Sequence, residues 1–240
     1  MSINEKKYLI VGDGRLAKHL SFYFSTIGLT LKKWTRSNKN CKLEDALVET
    51  NTVLLAISDG AISCFIEDHL PLLQGKTVIH FSGALTVDGA IGCHPLMTFS
   101  TQLYAEDFYH DILFCIDDDA PDFRDLFPKL NNPHITIAKD MKARYHALCV
   151  MANNFTCLLW QKFYKEMIDN FGADKKSLEP FLRRTTENII QNYKTCLTGP
   201  LVRNDSGTIK KNLLSLDNDS FQQVYQSFVK MYEETGLELQ

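Results

Sequence analysis

A short apolar run that meets a glycine-rich turn and then a helix is the feature that most constrains how this chain can fold. Tyr8–Val11 predicts a buried strand, Gly12–Ala17 follows it directly, and helical periodicity continues to Phe24 before a second apolar run begins at Leu29. A turn of the form G-x-G-x-x-A, placed between the first strand and helix of a βαβ unit, is a dinucleotide-binding fingerprint. The sequence therefore predicts a nucleotide site at this turn.

The small residues of the turn have separate reasons to be small. Gly12 permits a tight turn, Gly14 leaves room for a pyrophosphate, and Ala17 lets the helix pack closely on the strand. The free N–H groups and the positive dipole end of the helix would then face the phosphates. The turn residues expected to bind the cofactor are Gly12, Asp13, Gly14, Arg15, Leu16 and Ala17.

The residues after the second strand discriminate between the two nicotinamide dinucleotides. Enzymes that use NAD usually place Asp or Glu there for the ribose 2′-hydroxyl, whereas the 2′-phosphate of NADP requires a cation. The strand leads into Thr35, Arg36 and Ser37, and no carboxylate occurs before Glu44. The guanidinium of Arg36 suits a dianionic phosphate through paired N–H donors, although a solvated loop cation is the alternative. NADP is the expected cofactor.

Composition and charge exclude several other classes of function. The 240 residues carry a net charge of -3, which gives no electrostatic basis for binding nucleic acid or an anionic membrane. No apolar run approaches the length of a membrane span. The seven cysteines form no C-x-x-C pair, so neither a metal site nor a disulfide framework is indicated. We expect small buried thiols in a cytoplasmic protein.

Apolar runs and helical periodicity divide the chain into two predicted domains. Further strands of a mostly parallel sheet are predicted at Val53–Ile57, Thr77–Phe81, Ile91–Cys93, Leu113–Ile116 and His134–Ala138. The link from Ser82 to Ala90 is shorter than a crossover helix needs, so either that helix is absent or the next strand runs antiparallel. No strand pattern follows residue 138. The predicted class is α/β, with a Rossmann-like NADP-binding domain at residues 1–139 and an all-α domain at 140–240.

A new period begins near Asp140, where apolar residues recur every three or four positions. This pattern predicts one long helix of about 30 residues with a core-facing apolar stripe. Lys142, either solvated or catalytic, lies near one line along this helix with His146 and Asn153, and Asn154 is about 80° from His146. Both asparagines have apolar neighbours. We therefore expect buried amides that bind either a neighbouring helix or the substrate and nicotinamide.

Other candidate residues follow the predicted strands, because ligands of open parallel sheets bind at the carboxyl ends of the strands. Cofactor contacts are expected there from Ser58, Asp59, Ser82 and Gly83. His94 precedes a proline that keeps its backbone extended, and it either passes a proton to the substrate or hydrogen-bonds to loop backbone. Arg203 lies in the loop Thr198–Asp205, where it either clamps a substrate carboxylate or belongs to a structural turn.

Several of these segments together resemble a known family. In it, a Rossmann-like domain akin to coenzyme F420-dependent NADP oxidoreductases precedes a helical C-terminal domain of unknown function, catalogued as number 2520. The resemblance is carried by Ile10–Ala17, Ser82–Ala84, Gly92–Phe99, Tyr145–Ala147, Asn153–Phe155 and Leu197–Asp205. It implies an oxidoreductase whose helical domain dimerises like that of pyrroline-5-carboxylate reductase relatives. Its pattern emphasises His94, His146, Asn154, Arg203 and Asp205.

Two departures from the family pattern bear on catalytic competence. The Ser82–Ala90 link is short for the family, and Asn204 stands where a glycine is common. The leading hypothesis remains an NADP(H)-dependent oxidoreductase that transfers a hydride to or from a small carbonyl or imine between its two domains. Its candidate catalytic residues are His94, His146, Asn154 and Arg203.

Two alternatives to that hypothesis stay open. A non-catalytic NADP-binding sensor or scaffold has the same fingerprint. In the other alternative, the helices only dimerise and the nucleotide pocket stays empty. The expected partners are a small-molecule substrate and, through the helical domain, a second copy of the chain.

Overall fold

A seven-stranded sheet forms the centre of the first part of the computed structural model, which describes residues 6–38 and 41–235. The strands are β1 (Tyr8–Val11), β2 (Leu31–Trp34), β3 (Thr52–Leu55), β4 (Thr77–His80), β5 (Ile91–Pro95), β6 (Phe114–Asp117) and β7 (His134–Ile137). Their order in the sheet is β2-β1-β3-β4-β5-β6-β7. All neighbours are parallel except β5 and β6. The predicted α/β class with a mostly parallel sheet is therefore confirmed.

Helices connect the strands and make up the regular structure of the remaining described residues. Six lie among the strands: α1 (Arg15–Thr26), α2 (Leu43–Leu47), α3 (Asp59–Asp68), α4 (Leu70–Leu73), α5 (Glu106–His110) and α6 (Phe123–Leu126). Five follow β7: α7 (Lys142–Val150), α8 (Thr156–Asp169), α9 (Lys175–Gln191), α10 (Ser206–Ser215) and α11 (Phe221–Thr235). Among the described residues, none of these helices is both long and apolar enough to cross a membrane.

Both faces of the central strands are covered, as the apolar sequences of β1 and β3 predict, whereas the edge strands β2 and β7 are largely exposed or half-buried. Alternate residues of β1 enter separate cores, because successive side chains of a strand point to opposite faces. Tyr8 and Ile10 belong to the core that includes Phe24 of α1. Leu9 and Val11 belong to the core on the other face. Because β1 is packed on both faces, the position of the turn that follows it is fixed relative to the sheet.

The short link before β5 resolves one of the open alternatives. β4 and β5 are parallel, with Ile79 opposite Ile91, so the crossover helix is absent and the strand direction is kept. Ser82 closes the start of this link, since its hydroxyl accepts hydrogen bonds from the backbone N–H groups of Ala84 and Leu85 at 3.3 and 3.2 Å. The antiparallel step comes one strand later, between β5 and β6.

The chain separates into two compact units, residues 1–158 and 159–240. The last strand ends at Ile137, close to the boundary expected at residue 139. The first unit nevertheless extends through α7 to the start of α8, at residue 158. This added segment contains a buried ion pair, in which Lys142 at the start of α7 binds Asp117 at the end of β6 at 2.6 Å. The beginning of the helical region is thereby tied to the sheet.

The predicted long helix is present but is interrupted. A single 3₁₀ turn, Lys139–Met141, precedes α7, and a π-helical segment, Met151–Phe155, separates α7 from α8. π-segments of this kind are rare and often occur at functional sites. This segment contains both Asn153 and Asn154. The prediction that their amides are buried is wrong, because both residues are exposed.

The apolar stripe of this helix does not face a core in the single chain. Of the residues that the period predicts for this stripe, Leu148, Phe155 and Leu159 are 57, 50 and 37% exposed. Met151 and Leu158, which the predicted period did not include, are 55 and 52% exposed. Leu148, Met151, Phe155 and Leu158 follow one another at three, four and three residues, which places these four on one side of the helix. The periodicity correctly identified an apolar face, but the expectation that the fold of one chain covers that face is wrong.

The second unit is a small helical assembly with its own aromatic cluster. Trp160 meets Phe163 and Phe181 at ring distances of 5.5 and 5.6 Å. In the loop before α10, Asn204 has a φ of 52°, a left-handed conformation that asparagine tolerates better than most residues. This conformation accounts for a glycine being common at the position. Asp205 caps α10 by accepting the N–H of Thr208 at 3.0 Å.

The cysteines depart in part from expectation. None of the seven is in a disulfide, and Cys93 and Cys115 are buried as expected. Cys41, Cys149 and Cys196 are half-buried, and Cys64 and Cys157 are exposed, so the prediction of buried thiols is met in full only by Cys93 and Cys115 and is wrong for the two exposed residues. Cys64 and Cys157 lie on helices, where an apolar sequence context does not determine which side of the helix a residue occupies.

Candidate nucleotide site and the adjoining histidine cluster

A cavity of about 960 Å³ opens at the carboxyl ends of β1, β2 and β3. The strand order reverses between β1 and β3, which is where open α/β sheets bind ligands. Nine residues expected to bind the cofactor line the cavity: Gly12, Asp13, Gly14, Arg15, Leu16, Thr35, Arg36, Ser37 and Ser58. The volume is at the upper end of the usual range for ligand pockets. An extended ligand such as a dinucleotide fits this size.

The turn after β1 has the geometry that its glycines suggest. Gly12 has a φ of 126°, and a Cβ there would lie 2.3 Å from the carbonyl oxygen of Ala56, so only glycine fits. A Cβ on Gly14 would have no described atom within 4 Å, so the turn leaves open space beside the start of α1. Ala17 is fully buried against the sheet. The first N–H groups of α1 lack intrahelical partners and border this open space.

Asp13 brings a negative charge to a turn that is expected to bind phosphates. Lys33 on β2 donates a hydrogen bond to the Asp13 carboxylate and forms an ion pair with it. This hydrogen bond lowers the pKa of Asp13. Both side chains are largely exposed, at 39 and 58%, so the pair offsets part of the negative charge that Asp13 brings to the helix start.

The far end of the cavity carries the candidate site for the 2′-phosphate. Thr35 and Ser37, whose hydroxyl oxygens are 3.1 Å apart, flank the exposed guanidinium of Arg36. Helix α3 supplies an apolar wall that the sequence interpretation missed. Phe65 of α3 stacks on His69 at 4.5 Å and 15°, and both residues line the cavity. The missed signal was the apolar face of the helix that follows β3.

Two histidines meet over a glycine, and none of these three residues lines the cavity. The rings of His94 on β5 and His146 on α7 are 6.3 Å apart. A Cβ on Gly83 would lie 2.9 Å from Cδ2 of His146 and 3.2 Å from Cδ2 of His94. Gly83, expected to contact the cofactor, therefore makes room for both imidazoles. The structure thus joins two candidate catalytic residues that are far apart in the sequence.

His94 is held as a neutral side chain. Burial and, to a smaller extent, the neighbouring His146 lower the pKa of His94 to about 4. Its Nδ1 lies 2.7 Å from the hydroxyl of Tyr145. A neutral imidazole presents one N–H donor and one acceptor nitrogen. His94 can therefore polarise a carbonyl or imine by hydrogen bonding at neutral pH.

The ion pair of Lys142 and Asp117 is buried close enough to His94 for the charge of Lys142 to act on it. Their side chains are only 6 and 3% exposed, and Asp117 also accepts the N–H of Gly92 at 2.6 Å. Both earlier expectations for Lys142, a solvated or a catalytic cation, are therefore replaced by a buried structural one. A Cβ on Gly92 would lie 2.2 Å from Nζ of Lys142, so this glycine makes room for the ammonium group.

His80 extends the buried polar row across β4. It lies opposite Gly92 in the sheet, and burial, followed by the charge of Lys142, lowers its pKa to about 4. Its Nδ1 accepts the N–H of Ser82 at 3.3 Å. Among the described residues its Nε2 has no hydrogen-bond partner. At neutral pH His80 is therefore an uncharged polar side chain close to the paired charges of Lys142 and Asp117.

Other candidate residues fall in different places. Asn153, rather than Asn154, lines the cavity, and its amide donates to the Asn154 side-chain oxygen at 3.2 Å. The hydroxyl of Ser82 donates a hydrogen bond to the carboxylate of Asp59 at 2.7 Å. Neither residue lines the cavity. Arg203 is exposed in the second unit. Within the described ranges, no group of three or more His, Cys, Asp and Glu residues is arranged to hold a metal ion.

Comparison with protein families gives one match that covers half of the chain. The model of the domain of unknown function DUF2520 matches residues 112–232. No curated protein matches the sequence.

Solved structures of the same fold come from several organisms. A protein from Bacteroides fragilis named "putative NADP oxidoreductase" has a TM-score of 0.72 at 20% identity, covering 97% of this chain and 100% of its own. An imine reductase from Myxococcus stipitatus in complex with NADP+ has a TM-score of 0.65 at 12% identity, covering 95% and 93%. A pyrroline carboxylate reductase from Plasmodium falciparum with NADP bound gives 0.59 at 14%, covering 99% of each chain. At these identities the likeness establishes the fold.

Proposed function

Because this chain belongs to the DUF2520 family, we propose that it is an NADP(H)-dependent oxidoreductase that acts on a small carbonyl or imine. The observation that carries this proposal is the cavity at the β1 turn, where the room beside Gly14 and the start of α1 suit a pyrophosphate. The solved structures of imine reductase and pyrroline carboxylate reductase with NADP bound support it.

Each end of the cofactor would meet a different set of side chains. Arg36, with Thr35 and Ser37, would bind the 2′-phosphate through charge-assisted hydrogen bonds. Phe65 and His69 would pack against the adenine side. The nicotinamide would lie toward Asn153 and residues 97–99, which line the rest of the cavity.

NADP(H) would supply the hydride, and the protein would orient the substrate and pass it one proton through the ring N–H of His94 or His146, which solvent then replaces. His94 and His146, whose rings both lie next to Gly83, would donate hydrogen bonds to the substrate oxygen or nitrogen. The low pKa of His94 means that it does so as a neutral group at physiological pH. Asn154 and Arg203 remain predicted substrate-binding residues. Asn153 is added as a contact at the nicotinamide end, since it lines the cavity.

Consumption of NADPH tests this proposal directly. Purified protein and NADPH are mixed with a panel of cyclic imines, aldehydes and keto acids, and the loss of NADPH absorbance is followed. We expect turnover with at least one class, and His94→Ala should lower it by about 10²–10⁴ with little change in NADPH affinity. His134→Ala, which removes an exposed imidazole on β7, is the matched control. Unchanged turnover in His94→Ala would remove His94 from the mechanism.

A fluorescence titration of NADPH binding, performed beside this assay, separates the enzyme from the sensor. Binding of NADPH without oxidation by any member of the panel would favour a non-catalytic NADP-binding sensor or scaffold. Failure to bind NADPH would refute both proposals and leave the alternative of helices that only dimerise.

We also propose that the chain is a homodimer through its helical region. The exposed stripe of Leu148, Met151, Phe155 and Leu158 has the spacing by which two helices interlock, and a second copy of the same stripe is its natural complement. In sedimentation experiments Leu158→Glu should shift the protein toward monomer. Val48→Glu, which changes an apolar residue of the first unit that is 78% exposed, should leave the assembly unchanged. A wild-type monomer at micromolar concentration would contradict this proposal.

A further inference from the structure

Tyr145 lies beside the two histidines, and the function proposed above does not use it. Its hydroxyl oxygen is 2.7 Å from Nδ1 of His94. The two rings meet edge to face, at 5.7 Å and 79°. Because His146 is the next residue along α7, one turn of this helix brings both side chains to β5. Tyr145 is half-buried, so this contact is sheltered from bulk water.

Two arrangements of protons satisfy the contact between Tyr145 and His94. Either the hydroxyl donates to a bare Nδ1, or a protonated Nδ1 donates to the hydroxyl oxygen. Burial raises the pKa of Tyr145, so the hydroxyl keeps its proton. His94 stays neutral because burial lowers its pKa. The single ring proton of His94 is therefore on Nδ1 or on Nε2, and the direction of this one hydrogen bond decides which.

The strengths of the two possible donors and acceptors decide the direction. A phenol hydroxyl is a more acidic donor than the N–H of a neutral imidazole, and a bare imidazole nitrogen is a stronger acceptor than a phenol oxygen. At the 2.7 Å separation of these two atoms, the stronger hydrogen bond is therefore the one in which the hydroxyl of Tyr145 donates to Nδ1 of His94.

We propose that Tyr145 is a positioning residue that holds His94 in the tautomer with the proton on Nε2. Nε2 is then the nitrogen that donates to the substrate, and Nδ1 is occupied by the tyrosine. Only the role toward substrate rests on the proposed function. The tautomer is a property of the protein without any ligand, and it can be measured in that state.

Nuclear magnetic resonance of the full-length, nitrogen-labelled protein measures this tautomer. Long-range proton–nitrogen correlations distinguish Nδ1–H from Nε2–H in each histidine ring, and the spectrum of His94→Gln identifies the His94 signals. We expect a single Nε2–H form in the wild type. Tyr145→Phe keeps the ring but removes the donor, so the Nδ1–H form should become populated. Tyr164→Phe, which removes a hydroxyl in the second unit, should leave the His94 signals unchanged.

Either of two results would overturn the assignment. One is an Nδ1–H tautomer in the wild type, which needs no variant to observe. The other is an unchanged tautomer in Tyr145→Phe while circular dichroism reports the native helix content.

Turnover with NADPH and 2-methyl-1-pyrroline adds a kinetic measurement to the spectroscopic one. We expect Tyr145→Phe to lower kcat about tenfold, equivalent to the loss of one well-oriented hydrogen bond, without a change in NADPH affinity. Equal kcat values, with turnover present, would contradict a role in positioning. Absence of NADPH binding would refute the proposed function, while the wild-type spectrum would still decide the tautomer.

Discussion

Replacing Lys142 by methionine tests the claim that a buried ion pair ties the helical region to the sheet. The substitution removes the ammonium group but keeps an unbranched side chain of similar length. Asp117, 3% exposed in its side chain, then keeps the N–H of Gly92 as the hydrogen-bond donor to its carboxylate among the described residues. A carboxylate left buried without its counter-charge is the main cost of this change.

The expected loss follows from that burial. Breaking a buried ion pair from one side costs about 3–5 kcal/mol, which is a large part of the usual stability of a domain. Lys139→Met is the matched control, because the pair of Lys139 and Asp119 joins the same two regions but is solvated, with side chains 39 and 65% exposed. We expect a much smaller change for this control, since exposed pairs contribute little.

Urea unfolding followed by tryptophan fluorescence measures the change in the first unit alone. The chain has two tryptophans, Trp34 on β2 and Trp160 on α8. In a Trp160→Phe background the signal reports only the sheet. The double variant Lys142→Met/Asp117→Asn should recover at least half of the loss, because the amide oxygen still accepts the Gly92 N–H and no charge is buried. A loss in Lys142→Met no greater than in Lys139→Met would refute the reasoning.

Further predictions concern the turn glycines and pH. Gly12→Ala should destabilise the protein, since its Cβ would lie 2.3 Å from a carbonyl oxygen, whereas Gly14→Ala should keep native stability and lose NADPH affinity; equal stability of the two variants in urea would contradict this. The pKa of His80 is about 4 in the fold and about 6.5 when unfolded, so the unfolded state binds more protons between these values. The free energy of unfolding should fall by up to about 3 kcal/mol as pH drops through this window, and His80→Asn should flatten the pH dependence; parallel curves for the two proteins would show that His80 does not contribute.

The sequence predicts the nucleotide turn well because its determinants are local. A strand, two glycines and a helix start lie within a few residues, and the steric demand at Gly12 is visible in the pattern itself. The strand positions follow from apolar runs for the same reason. Arg36 could be placed at the cavity because it directly follows a predicted strand.

Features that depend on distant partners could not be predicted in this way. Lys142 is buried only because Asp117, 25 positions away in the sequence, lies across from it. The π-segment at Met151–Phe155 has no distinct residue pattern, so the helix was expected to be uninterrupted. Asn153 lines the cavity although Asn154 was the expected site residue. The predicted period, which included Leu148, Phe155 and Leu159, indicated an apolar face on this helix, but it carries no information on what covers that face.

Calorimetric titration with NADPH and with NADH tests the central claim most directly. The account predicts that NADPH binds at least about tenfold more tightly than NADH, because only NADPH carries the phosphate that Arg36 would bind. Arg36→Ala should remove this preference while leaving NADH binding unchanged, and Arg124→Ala, which lies outside the cavity, should have no effect. Absence of binding by either nucleotide, or equal affinity in the wild type and in Arg36→Ala, would contradict the account.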